Sequence, residues 1–119
     1  MNTTAIGSDA EQLALEFLQQ QGMRCLAVNS RTRFYELDLV MRDGDCIVAV
    51  EVKYRKNTNF GGGEAAISTQ KACRLRNAIM QWVVENGFER ADQNIRIDVV
   101  VITGRSQKRV YYPNAVEDG

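Results

Sequence analysis

Histidine is absent from this sequence. Its absence excludes serine–histidine triads, histidine general bases and histidine-ligated zinc. Acid–base or metal chemistry is left to carboxylates, lysine, tyrosine, cysteine and water. Cysteine is scarce: Cys25, Cys46 and Cys73 are odd in number, lie far apart and form no C-x-x-C. They read as small core residues of a reduced, cytoplasmic protein. Long apolar runs are missing too. Stretches such as Val99-Val100-Val101-Ile102 fall far short of the ~20 residues of a bilayer span. No basic segment followed by an apolar stretch opens the chain, so no signal peptide is expected. Net charge is zero, from 15 basic and 15 acidic residues. A zero sum does not exclude a nucleic-acid ligand, because local distribution decides that. Arginine supplies 11 of the cations, and nine of the cations lie between Arg31 and Arg76.

What is present is ordinary globular composition, 45% hydrophobic and 25% charged over 119 residues, which predicts one domain over 1–119. Ser8 or Asp9 can cap a first helix ending near 21, with Gly22 as its stop. Strands are predicted at 23–29, 35–41 and 46–53, the last two joined by the hairpin signal Asp43-Gly44. A polar loop at 57–64 carries a glycine triplet. It lacks the lysine and serine or threonine of a phosphate-cradling loop and reads as a plain flexible loop. A second helix spans 68–85 and strands follow at 95–102 and 109–112, where the single proline, Pro113, fits only the strand's end. The fold class is α/β, in the order αβββαββ, with a central mixed sheet flanked by helices.

Charges interrupt this pattern at informative places. In the third strand Ile47, Ala49, Glu51 and Lys53 share one face, and Val48, Val50 and Val52 the other. Glu51 therefore stands in a run that otherwise reads as buried, where a carboxylate needs a partner. A two-residue Asp43-Gly44 turn pairs Arg42 with Asp45. That register puts Asp38 across from Ala49 and Glu36 across from Glu51, with Asp38 and Glu51 diagonal neighbours. Three like charges on one hairpin face call for a cation among them. An all-oxygen donor set suits magnesium or manganese. Lys53 can point a positive charge at the same place. Glu11 lies at the edge of the first helix's apolar stripe. Lys71 lies on the core side of the second helix, in a first turn where the helix dipole disfavours a cation.

These residues resemble a known signature. Asp38 followed by Glu51-Val52-Lys53 is similar to the catalytic motif of the PD-(D/E)XK restriction-endonuclease-like superfamily. The wider set is similar to the small bacterial YraN-like family. It comprises Glu11, Ala14, Leu18 and Gly22, then Asn29, Glu36-Leu37-Asp38, Val50 through Arg55, Lys71, Asp98 and Asn114-Ala115. Two departures stand out: Leu37 replaces the proline of the superfamily name, and Tyr35 stands where the family has glycine. The resemblance implies a restriction-endonuclease-like fold and a Mg2+- or Mn2+-dependent endonuclease acting on DNA, with branched or junction DNA as a substrate. It further implies metal ligation by Asp38, Glu51 and the Val52 carbonyl, and a water-orienting or charge-stabilising role for Lys53. Glu11 would be the extra helix acid of the branch resembling archaeal Holliday-junction resolvases. Glu36 and Lys71 would support the site. Arg31, Arg33, Arg55, Lys56, Arg74 and Arg76 are candidates to hold backbone phosphates, with the 54–64 loop and the start of the second helix as their surface. The expected partner is nucleic acid rather than membrane, with a homodimer left open. The alternative is a non-catalytic nucleic-acid-binding or protein-interaction module that kept the fold.

Overall fold

The computed structural model describes residues 9–55, 67–88, 94–104 and 108–115. The proposed Ser8 cap, Lys56 and the 57–64 loop lie outside them. The element order is α1 (Asp9–Gln20), β1 (Arg24–Arg31), β2 (Glu36–Asp43), β3 (Cys46–Arg55), α2 (Thr69–Glu85), β4 (Asn94–Thr103) and β5 (Arg109–Tyr112). The expected αβββαββ order holds. The five strands form one mixed sheet in chain order. Only β3 and β4 run parallel, because α2 lies between them and carries the chain back to the sheet's starting end.

Local sequence explains the element ends. At the end of α1 the Met23 and Gly22 N–H groups donate to the Leu18 and Gln19 carbonyls, 3.1 and 3.0 Å. This is the Schellman pattern, with Gly22 at a φ of 96° supplying the left-handed residue. Ser68 caps α2, its hydroxyl accepting the Lys71 N–H at 3.2 Å. The helices cover opposite faces of the sheet. Under α2 lie Val40, Ile47, Ala49, Ile97 and Val99; under α1 lie Leu39, Met41, Val48, Val50, Val100 and Ile102. The alternation of Ile47 and Ala49 against Val48 and Val50 therefore divides β3 between two cores, as the sequence predicts.

The hairpin register differs from expectation in an instructive way. Asp43 pairs with Cys46, Arg42 with Ile47 and Leu39 with Val50. The two-residue loop is Gly44-Asp45, not Asp43-Gly44. Gly44 has a φ of 62°, and a II′ turn wants its glycine at the first loop position. The pairing slides by two residues, so every side chain keeps its face. The paired ladder ends at Leu39 and Val50, and beyond it the Asp38 side chain accepts the Val52 N–H. Glu36 pairs instead with Arg31 of β1.

Candidate functional site

The site forms where β2 stops behaving as a regular strand. Leu37 shares its alternation with Leu39 and Met41, yet it packs in the other core, with Tyr35 and Val40. The chain thus rotates at Asp38. The β1 residue level with Asp38 is Asn29, between the Val28↔Leu39 and Ser30↔Leu37 pairs. Asn29 holds a left-handed φ of 51°, a conformation asparagine tolerates better than most residues. Two neighbouring strands therefore distort at one level.

That distortion frees Asp38 to act in place of the ladder. Its Oδ2 accepts the Val52 N–H at 2.9 Å. The N–H and C=O of a strand residue point to the same edge, so the Val52 carbonyl faces the same opening. From α1 the buried Glu11 side chain, 8% exposed, reaches the Asp38 carboxyl. From β3 Glu51 approaches, its Oε2 engaged by the Lys71 ammonium of α2. Three acids thus arrive from three elements, with Lys71 set against one of them. As the side chains stand, no three acidic, thiol or imidazole groups among the described residues form a ready cage. Glu11 and Asp38 are one pair, and Glu51 is shared with lysine.

Electrostatics follow from this crowding. Burial first, then the facing Asp38 charge, push Glu11 up to about 7, against the pull of Arg31. Burial also raises Asp38, and the Glu51 charge adds to this, while the Val52 N–H, Arg31 and Lys71 act the other way. A carboxyl whose folded pKa exceeds its unfolded value binds more protons when folded. Metal-free protein should therefore lose stability as pH rises from 4.5 to about 7. Glu11→Gln should remove part of that fall. It should be the more stable protein above neutrality, by on the order of 1 kcal/mol or more. Urea unfolding at mildly acidic and mildly alkaline pH checks this, and parallel pH profiles for the two proteins would contradict it.

Beside the acids opens a cleft of about 610 Å³, lined by Asp38, Glu51, Lys71, Phe34, Tyr35, Glu36 and Arg74, with residues 75, 77, 78 and 81 of α2. The Tyr35 ring turns inward: it is buried, and its hydroxyl donates to Glu85 Oε1 at 2.7 Å. The ring therefore floors the cleft and does not block it.

The pattern of Uncharacterised protein family UPF0102 matches residues 10–102, which takes in every acid just described. A UPF0102 protein of Vibrio cholerae is 35% identical over 119 residues, 100% of this chain and 98% of that one. One from Yersinia pseudotuberculosis is 40% identical over 115 residues, 97% of each chain. One from Colwellia psychrerythraea is 40% identical over 103 residues, covering 87% of this chain and 80% of the relative.

The chain belongs to the UPF0102 family.

Among solved structures, Pyrococcus furiosus SfsA in complex with Ca2+ overlaps 89% of this chain and 61% of its own, at a TM-score of 0.33 and 13% identity. That likeness is too loose to bear on the site. The family match agrees with the YraN-like resemblance read from the sequence.

The remaining predicted positions of this UPF0102 chain divide. Lys53 lies beside Val101 of β4 and is not among the described residues of the cleft wall; Lys71 forms an ion pair with Glu51. Glu36 is exposed and forms an ion pair with Arg31 at 3.1 Å, at the cleft's edge rather than opposite Glu51. Arg31 also bonds the Asn29 side chain and bears on both Glu11 and Asp38. Arg33 stands over the Phe34 ring, 5.6 Å from its centroid. Arg74 lines the cleft. Arg76, two residues on, projects about 200° around the helix from it. Arg55 lies at the far end of β3, its guanidinium donating to the Tyr54 carbonyl at 3.1 Å.

Asp98 has a different place. It is fully buried in β4 and accepts four bonds. Arg96 gives two, at 2.9 and 3.0 Å; the Tyr111 hydroxyl gives one at 2.5 Å and the Asn114 N–H one at 2.8 Å. Arg96 reaches on to Asp43 at 2.9 Å. Burial and the Asp98 carboxylate push the Tyr111 hydroxyl well above its usual range. This aspartate holds strands and tail together. The sequence carried a signal for it: Arg96-Ile97-Asp98 puts opposite charges on one face of an apolar strand.

Proposed function

We propose that this chain is a metal-dependent nuclease of the restriction-endonuclease-like superfamily, which binds nucleic acid along the cleft and hydrolyses DNA phosphodiester bonds, branched DNA included. The observation that carries the reading is that Asp38 faces Glu11 on one side and Glu51 on the other, with Asp38 and Glu51 in the wall of an open cleft. Repulsion among buried acids is a cost the fold has no use for, and a divalent cation would remove it. The donors are all oxygen, which fits Mg2+ or Mn2+: Asp38, Glu51 and the Val52 carbonyl would hold the ion, with Glu11 behind Asp38. Such an ion supplies a Lewis acid and an activated water. Around it, Arg31 and Arg74 can hold backbone phosphates. Lys71, with Lys53 two residues beyond Glu51, can steady negative charge building on phosphate. Glu11, poised near neutrality, can exchange a proton with water.

The second reading is a nucleic-acid-binding module without catalysis, favoured by the Lys71–Glu51 ion pair, which already balances one acid. One assay separates them. Duplex, single-stranded, flap and four-way-junction DNA are each incubated with the protein and Mg2+ or Mn2+, with a chelated control. Metal-dependent cleavage of at least one substrate is expected. Binding without cleavage of any would leave the module reading in place.

A further inference from the structure

The turn joining β1 to β2 is built to present one aromatic ring. The Thr32 N–H donates to the Tyr35 carbonyl at 2.9 Å. Thr32 Oγ1 accepts the N–H groups of Phe34 and Tyr35 at 3.0 and 3.2 Å. The two rings then part: Tyr35 enters the core, while Phe34 is left 76% exposed, more than any other large hydrophobic among the described residues. Phe34 does no packing work for the fold at that exposure, yet it lines the cleft that contains Asp38 and Glu51. The Arg33 guanidinium lies by the ring, Arg74 lines the same opening, and Arg31 is paired with Glu36 at its edge.

A ring presented to solvent beside a guanidinium suits a flat, polarisable group with an anion attached. Nucleobases with their phosphates have this form, and aromatic and arginine side chains stack on them whatever the base. Inside a duplex those faces are already covered by neighbouring bases. We infer that Phe34, backed by Arg33, is a stacking platform for an unpaired nucleotide, and that it biases the cleft toward single-stranded, flap or junction DNA over intact duplex. The inference rests on the reading of the cleft as a nucleic-acid site and names the structural class of substrate for it.

The test measures binding of a labelled single-stranded oligonucleotide, and of the duplex made from it, by fluorescence anisotropy in chelator. Phe34→Ala should weaken single-strand binding roughly 5- to 100-fold, and duplex binding several-fold less than that. Phe34→Trp should restore single-strand affinity and show indole quenching on binding that the wild type lacks. This rescue separates a lost ring from a disturbed turn. Unchanged single-strand affinity in Phe34→Ala, equal losses on both forms, or no rescue by tryptophan would each overturn the platform. Wild-type protein that binds neither form would instead overturn the nucleic-acid reading beneath it. Concentration-dependent self-association lost in Phe34→Ala, with DNA affinity intact, would assign the ring to a contact between copies and also overturn the platform.

Discussion

Asp38→Asn should fold at least as well as the wild type and yet lose metal binding. The amide oxygen can still accept the Val52 N–H, so the bond at 2.9 Å survives. The negative charge facing Glu11 and Glu51 disappears, which relieves the repulsion that raises Glu11. Stability and function are thus expected to move in opposite directions, the mark of a site held against the preference of the fold. Calorimetric titration with Mn2+ should show affinity lower by at least about 10- to 100-fold, the loss usual even for groups one step removed from an ion. Cleavage should fall about 100-fold or more. Glu51→Gln should lose metal similarly while also releasing Lys71. Manganese affinity equal in wild type and both variants would end the metal assignment. Asp38→Ala is the poorer probe, because it orphans the Val52 N–H at a cost of about 1–3 kcal/mol.

Asp98→Ala should have the opposite signature, a large loss of stability with no direct effect on the acids of the cleft. Four donors converge on this buried carboxylate, and alanine would leave them unanswered together. Breaking a buried pair by removing one partner costs about 3–5 kcal/mol. Domains of this size have about 5–15 kcal/mol in all. A drop in the thermal midpoint of more than about 10 °C is expected, with Asp98→Asn less damaging because it can still accept. Urea unfolding of the three proteins decides it. A loss under about 1 kcal/mol would show that the Asp98 carboxylate is not what ties β4 to Tyr111 and Asn114.

Much of this was legible from residue order alone. Apolar spacing located both helices and all five strands. Glu51 and Glu11 announced themselves as acids in buried patterns. The family signature pointed at Asp38 as well. The register was not legible, because Asp43-Gly44 and Gly44-Asp45 are both acceptable two-residue loops and differ by the side of the glycine on which the aspartate falls. Only the sheet decides between them, and its choice slides the β2–β3 pairing by two residues, to Leu39 with Val50. The pairing of Glu51 with Lys71 was hidden for a related reason. Lys53 is near in sequence and on the same face. Lys71 arrives from another element, and helix–sheet packing is what brings it there. Phe34 gave no signal, since a lone aromatic in a short turn looks the same whether it faces inward, as Tyr35 does, or outward.

The Ala115 backbone has a consequence for the order in which the molecule can be completed. It accepts the Ile67 N–H and donates to the Ile97 carbonyl, both at 2.9 Å, while Asn114 beside it is fastened to Asp98. Ile67 immediately precedes the Ser68 cap of the helix that delivers Lys71. On the ribosome, Glu11, Asp38, Glu51 and Lys71 all emerge before this fastening exists. The backbone bond that anchors Ile67, next to the cap of α2, is thus supplied by a residue that emerges after every acid of the cleft.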